Sequence, residues 1–197
     1  MKHKKFDYSK HSLFIFISVL LICGFILGLF LSKYIEIKDT NNMNYYLSIL
    51  IDETNPKSYF TTQFMIGSIT ILSIALLGTS IIGIPFIAFL IFTKGLQVGY
   101  SCALFLLTYS YKGIIGILIV FLPQITIDLI TFYFISHFSL LFSINLIYGC
   151  TNKKCIPIKT RLNKMLNVLL LTIILIIVSS YFKSTVSIGL IKLFKSL

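Results

Sequence analysis

Acidic residues and tryptophan are what this chain lacks most. Its 197 residues include six aspartates and glutamates and no tryptophan, and charged residues of both signs make up only 12% of the sequence. A soluble domain carries about 25% charged residues because its surface faces water. With half that share, and with 57% hydrophobic residues, the chain has too few charges to cover a soluble globule. The composition therefore predicts that much of its apolar surface faces lipid.

Residue patterns typical of catalytic and metal sites are also missing. We find no nucleophile–base pair, no phosphate-binding loop and no cluster of metal ligands, so we expect no enzyme, no catalytic residue and no cofactor. The chain has four cysteines, and Cys150 and Cys155 flank a lysine-rich loop without the paired spacing of a zinc site. Free thiols are the interpretation that we favour over a metal site.

The charge that is present is mostly positive, with 17 lysines and arginines against six acidic residues. An excess of this kind sometimes indicates nucleic-acid binding, which requires a continuous basic face. Here the positive residues lie in short connections between apolar runs, where they keep loops in the cytoplasm. We therefore expect the chain to associate with membrane lipid and not with nucleic acid.

Long stretches with almost no charge define the membrane spans. Residues 12–32 have the length of one helical crossing, about 20 residues for a hydrocarbon core of ~30 Å. Residues 58–93 and 114–148 are each too long for one crossing; Gly78, Gly83 and Pro85 interrupt the first, and Pro123 interrupts the second. The sequence thus predicts an all-α polytopic membrane bundle of about five transmembrane helices, with two proline-interrupted, over-long segments.

These spans divide the chain into parts with different environments. The parts are a basic cytoplasmic arm (1–11), a transmembrane bundle (12–182) with an outer loop (33–63) and a basic cytoplasmic loop (149–164), and an amphipathic C-terminal tail (183–197). Within the outer loop, 45–51 predicts a short interfacial helix. Because lysines are dense in the arm and in the later loop, the N-terminus is expected in the cytoplasm. Lys94 is expected to end the second span on that side.

Asp128 is the only carboxylate inside a predicted span. A charge there costs a few kcal/mol unless it has a partner, water or a proton. Gln124 lies one helical turn away on the same face, and Lys94 and Lys112 are candidate cations. We favour structural pairing, with a proton-linked or conducting role as the alternative. His137 is nine residues away on the opposite side of the helix, which argues against a shared relay.

Small residues recur every four positions in two spans. The two stripes are Gly24, Gly28 and Ser32 in the first span, and Gly95, Gly99 and Ala103 in the third. Small side chains let helix backbones approach closely, which favours helix association in lipid. We expect these stripes to pack helices within the bundle, and an interface with another protein is the alternative.

Short motifs follow one another in an order that resembles a known family. They are Gly-Ile-Pro at 83–85, Lys-Gly at 94–95 with Gly99 beyond it, and Leu-Pro-Gln at 122–124. Together with the basic arm, first span and outer loop that precede them, they resemble stage II sporulation protein M. The residues on these motifs are Gly83, Pro85, Lys94, Gly95, Gly99, Pro123 and Gln124, and the resemblance implies no catalytic role for them.

The same resemblance implies a function in endospore formation. Members of this family act without enzymatic activity in engulfment, at the septal membrane of the mother cell. There they anchor the cell-wall hydrolases, stage II sporulation proteins D and P. These partners and this location are expectations for the present chain.

Two hypotheses for function follow. The first is a membrane scaffold that holds partner proteins on the outer face, alone or with a second copy of the chain. The second is a small transporter or channel, since proline-broken over-long segments are typical of discontinuous transporter helices. The structural or interaction candidates are Gly24, Gly28, Gly83, Pro85, Lys94, Gly95, Gly99, Pro123, Gln124 and Asp128. Replacing Asp128 with asparagine distinguishes the two hypotheses.

Overall fold

A computed structural model describes residues 2–32, 56–118, 122–152 and 158–187, and this part of the chain is helical. Its five α-helices are α1 (Lys2–Leu31), α2 (Pro56–Gly78), α3 (Gly83–Gly116), α4 (Leu122–Asn152) and α5 (Ile158–Phe182), with a π-helical turn at Lys183–Ser187 continuing α5. Each helix contains a stretch that is long and apolar enough to cross a membrane: His11–Leu31, Lys57–Gly78, Gly83–Leu107, Leu122–Gly149 and Leu162–Thr185. The predicted all-α bundle of five spans is confirmed.

Several hydroxyl side chains inside the spans form hydrogen bonds within their own helices. Thr70 Oγ1 donates to the carbonyl oxygen of Ile66 at 2.8 Å, and Ser73 Oγ donates to that of Ile69 at 2.8 Å. Lipid offers no hydrogen-bond partners, so a polar group in a span needs one from the protein. A hydroxyl that bonds back four residues meets this need without help from another helix.

The first over-long segment is divided by a short turn at 79–82, and not at Pro85. The backbone N–H of Thr79 donates to the carbonyl of Leu76 at 3.0 Å, which ends α2 with a tight turn. α3 then begins at Gly83, and Pro85 lies in its first turn. A proline is well tolerated there, because the first N–H groups of a helix have no intrahelical partner.

Pro123 likewise lies in the first turn of α4, as its second residue. The first over-long segment is therefore broken between Gly78 and Gly83, and a new helix begins next to Pro123 in the second; both prolines lie at helix starts and not inside a helix. The expectation that Lys94 ends the second span is wrong, because Lys94 lies well inside α3. The physical reason is that glycine and the turn end α2 sixteen residues before Lys94, at Gly78.

The helices form two groups. α1 packs along α3, while α2, α4 and α5 pack on one another. One core cluster joins the groups, and its completely buried members come from four helices: Ile17, Ile74, Ile87, Ile91 and Ile135. Large apolar side chains cover the outside, as expected where lipid is the solvent; Leu76 and Ile82 are 70% and 72% exposed.

The helix ends differ in detail from the boundaries expected from the sequence. α1 begins at Lys2, so the arm is helical from that residue, and α4 continues to Asn152. The segment proposed as an interfacial helix (45–51), most of the outer loop, and the tail beyond residue 187 lie outside the described residues.

Candidate functional site

Four glycines form the contact between α1 and α3. Gly24 and Gly28 on α1 lie against the backbone of α3, and Gly95 and Gly99 on α3 lie against the backbone of α1. A Cβ atom added to Gly24 would overlap the carbonyl oxygen of Phe92, and the other three glycines meet the facing backbone in the same way. The structure thus brings the two small-residue stripes together at one interface within the bundle.

This contact also shows the relative direction of the two helices. The carbonyl of Leu21 faces Gly95, and the carbonyl of Phe25 faces Gly99. A step of four residues along α1 therefore matches a step of four in the same direction along α3, so the helices are parallel. Before a second helix can run parallel to the first, the chain has to cross the membrane back once, and α2 supplies this crossing.

The turn between α2 and α3 is held by a serine of α4. Ser143 Oγ lies 2.7 Å from the carbonyl oxygen of Gly78 and 2.7 Å from that of Ser80, and its hydroxyl proton is shared between them. These carbonyls are free to accept because the helix ends there. Gly78 also allows close approach of Ser139, whose Cβ lies where a side chain on Gly78 would have to go. We did not anticipate Ser143 from the sequence.

Asp128 is paired with α5. Ser179 Oγ donates to Asp128 Oδ1 at 2.5 Å, and Lys183 Nζ forms an ion pair with Asp128 Oδ2 at 2.5 Å. Ser179 and Lys183 are four residues apart and so share one face of α5 and its π-helical turn. The Asp128 and Lys183 side chains are 24% and 15% exposed. The carboxylate therefore connects α4 to α5 in a mostly buried setting.

These partners are not the ones that we expected. The two side chains that bond Asp128 are on α5, whereas Gln124, Lys94 and Lys112 were the candidates. Gln124 is half-buried in the first turn of α4, and the side chain of Lys112 is outside the described residues. We missed Lys183 because the last span was expected to end one residue before it. The signal available in the sequence was a lysine directly after the predicted last span, which is a candidate partner for the one carboxylate inside a predicted span.

Contacts between α1 and α4 locate Asp128 in depth. Phe14 stacks on His137 with ring centroids 3.9 Å apart, and the hydroxyls of Ser18 and Tyr133 are 3.2 Å apart. A move of four residues forward along α1, from Phe14 to Ser18, therefore corresponds to a move of four residues back along α4, from His137 to Tyr133. These two helices are antiparallel. Five further steps place residue 23 opposite Asp128, which is the seventh residue of the Leu122–Gly149 span and so lies in the half of the bundle where α4 begins.

Lys94 lies at the same depth. On α1, Gly24 meets α3 at Phe92 and Leu96, on either side of Lys94. Lys94 follows the completely buried Ile91 by three residues, so it continues the face of α3 that packs into the core.

We refer to Asp128, Ser179 and Lys183 as the charge cluster. It joins α4 to α5 and its π-helical continuation.

The remaining candidates have structural positions. His137 is buried and stacks on Phe14 of α1, whereas Asp128 bonds α5, so the two side chains face different neighbours. Gly83 starts α3 where a Cβ would overlap the carbonyl of Leu77. The carbonyl of Pro123 accepts a hydrogen bond from Thr126 Oγ1 at 2.9 Å. No group of three or more metal-ligating side chains occurs in the described ranges.

Comparison with known proteins gives one family. The family model of stage II sporulation protein M matches residues 17–188, a segment that includes both glycine stripes and the whole charge cluster. No curated protein and no solved structure matches the chain.

Proposed function

The chain belongs to the stage II sporulation protein M family, and from that premise we propose that it is a non-enzymatic scaffold in engulfment. It is a multi-pass membrane protein of a sporulation family. In the proposed role it lies in the septal membrane of the mother cell, with its N-terminus in the cytoplasm, and anchors the cell-wall hydrolases, stage II sporulation proteins D and P. The family match over most of the chain is the observation that carries this proposal.

The packing of the bundle supports a scaffold. Glycines at the α1–α3 contact hold two backbones against each other, and the ion pair of Asp128 with Lys183 joins two further helices. Such contacts restrict relative movement of helices, which suits a platform for other proteins better than a flexible linker. The proposed docking surfaces are the outer loop (33–63) and the C-terminal tail (183–197).

Co-purification from sporulating cells tests the scaffold. We expect both hydrolases to be recovered with the full-length protein, and to be lost when 36–53 in the outer loop is replaced by a glycine–serine segment of equal length. The matched control replaces 153–157, in the basic cytoplasmic loop, in the same way and should retain both. Recovery of neither hydrolase with the wild-type protein would contradict the proposal.

A small transporter or channel is the second candidate. The observation that favours it is the charge cluster within the membrane spans, since ion pathways contain such groups. Asp128→Asn separates the two functions. Loss of engulfment with normal assembly and normal hydrolase recovery would favour transport, whereas unchanged engulfment would favour the scaffold.

A further inference from the structure

Positive charge exceeds negative charge within the five spans. The spans contain one carboxylate, Asp128, and four lysines: Lys57, Lys94, Lys164 and Lys183. Lys57 and Lys164 are exposed near span ends, where a long side chain reaches water. Lys183 forms its ion pair with Asp128. Lys94 is therefore the lysine whose charge is balanced by no ion pair in the described spans.

Lys94 lies deep in its span. It is the twelfth residue of the 25-residue Gly83–Leu107 span, and the contact of Gly24 with Phe92 and Leu96 places it beside the middle of α1. The middle of the hydrocarbon core is about 15 Å from either membrane surface, which is farther than a lysine side chain extends. A lysine at this depth requires a polar partner, because lipid offers none.

The ammonium group of Lys94 points toward an exposed residue. Lys94 Nζ lies 3.4 Å from Gln97 Oε1, which is long for a hydrogen bond of an ammonium group. Gln97 is exposed, and Lys94 is half-buried. The side chain thus begins at the edge of the core and brings its charge to the outer surface of α3. The neutral amide of Gln97 leaves that charge without a counter-charge.

The surface of α3 beside this lysine has the residue spacing of a helix-contact face. Phe86, Leu90, Thr93 and Gln97 recur at helical spacing and so lie on one side of α3, and Phe86 and Gln97 are exposed. Thr93 Oγ1 donates to the carbonyl oxygen of Leu90 in its own helix at 3.0 Å. It therefore needs no outside partner, and its small side chain lets another helix approach closely next to Lys94.

Depth and charge decide which molecule can balance Lys94. The headgroup of an anionic lipid lies at the membrane surface, about 15 Å away. In a second copy of the chain, the one carboxylate of the described spans is Asp128, which is bound to Ser179 and Lys183. A transmembrane helix of another protein can carry aspartate or glutamate at the required depth. The matching occupant is therefore a helix with a carboxyl group near the middle of its span.

We propose that Phe86, Leu90, Thr93, Lys94 and Gln97, which we call the Lys94 surface, bind a transmembrane helix of another membrane protein that has an aspartate or glutamate near mid-span. The carboxylate accepts hydrogen bonds from the Lys94 ammonium and the Gln97 amide, and apolar side chains of the partner pack on Phe86 and Leu90. Each charge is costly in lipid alone, and the pair removes that cost for both proteins. The Lys94 surface does not require that the partner be one of the hydrolases.

Binding of a synthetic transmembrane peptide to the full-length protein tests this surface. The probe is a leucine–alanine helix of about 20 residues with one glutamate at its centre. Two comparison peptides carry glutamine at the centre or the glutamate near one end. Energy transfer between labelled peptide and labelled protein in phosphatidylcholine liposomes gives the affinities. We expect the central-glutamate peptide to bind at least about tenfold tighter than either comparison peptide, because it alone forms a charged hydrogen bond with Lys94.

Variants of Lys94 show whether its charge causes the preference. Lys94→Met keeps the length of the side chain and removes the charge, so the central-glutamate and glutamine peptides should bind equally. Lys94→Arg should keep the preference. Lys164→Met removes an exposed lysine near a span end and is the matched control, with the preference of the wild type expected. Equal binding of all three peptides by the wild type would refute the proposal, as would an unchanged preference in Lys94→Met.

The unfolding temperature without peptide distinguishes this surface from a structural role of Lys94. If no group inside the bundle balances the charge, Lys94→Met should unfold at the same temperature as the wild type or at a higher one. A counter-charge within the bundle predicts the opposite result, because its removal leaves a buried charge unpaired. A lower unfolding temperature, or failure of Lys94→Met to assemble, would therefore overturn the proposal.

Hydrolase co-purification keeps this test separate from the scaffold proposal. The peptide affinities decide on the Lys94 surface, and recovery of the hydrolases with the wild-type protein decides on the scaffold. Equal binding of the three peptides together with recovery of both hydrolases would refute the surface and support the scaffold. The reverse pair of results would support the surface and refute the scaffold.

Discussion

At the scale of single residues, the smallest side chains determine where the helices of this protein touch. Gly24, Gly28, Gly95 and Gly99 bring α1 and α3 into backbone contact, and Ser143 holds the turn that separates α2 from α3. Lipid is as apolar as leucine, so burial of large apolar side chains contributes little to helix association in a membrane. Close packing and hydrogen bonds at these small residues therefore contribute more to helix association than the burial of large apolar side chains does.

Gly24→Ala tests this role of the small residues, because it adds a single methyl group at the contact. Alanine favours a helix over glycine by up to about 1 kcal/mol, so a solvent- or lipid-facing site would be stabilised. Here the added methyl group overlaps the carbonyl of Phe92, and overpacking of this kind costs about 1–3 kcal/mol. We expect a lower unfolding temperature in detergent. Gly67→Ala is the comparison: its methyl group would meet Ile176 Cγ2 at 2.8 Å, a side chain and not backbone, so we expect a smaller loss of stability than in Gly24→Ala. Equal stability of both variants would contradict this account.

At the scale of helices, the bundle consists of a parallel pair, α1 with α3, and a group of three, α2, α4 and α5. Short turns and helix starts separate the elements: Pro85 and Pro123 lie in first turns, and Gly78 ends α2. One ion pair, Asp128 with Lys183, joins α4 to the end of α5. The same terminus also packs on α2.

A double-mutant cycle on Asp128 and Lys183 measures this connection. Because both side chains are partly exposed, we expect each of Asp128→Asn and Lys183→Met to cost about 1–3 kcal/mol, below the value for a fully buried pair. The double variant should cost clearly less than the sum of the two, since it leaves no unpaired charge. Unfolding in detergent gives these free energies. Strict additivity would show that the two groups do not interact.

At the scale of the whole molecule, five alternating crossings place the start of α1 and the end of α5 on opposite sides of the membrane. The parallel contact of α1 with α3 and the antiparallel contact of α1 with α4 both agree with alternating crossings. The end of α4 and the start of α5 then lie on the same side as the start of α1, and we propose from the positive-inside rule that this side is the cytoplasm.

Cysteine labelling tests this topology with native residues. We expect a membrane-impermeant maleimide to label Cys150 and Cys155 in inverted vesicles and not in intact protoplasts. Cys23, on a lipid-facing position near mid-depth of α1, should stay unlabelled in both. A variant with Cys150→Ser and Cys155→Ser is the control and should lose the signal. Labelling of the wild type in intact protoplasts would show that the orientation is the opposite of the one proposed.

Five apolar spans, an all-α bundle and membership of a sporulation family were all readable in the sequence by itself. Hydropathy and length are local properties of the chain, and they decide which segments enter lipid. Only the tertiary structure decided that the glycines of the two stripes meet each other and that Lys183 is the partner of Asp128. Such contacts depend on the rotation and register of whole helices, which no short stretch of sequence specifies.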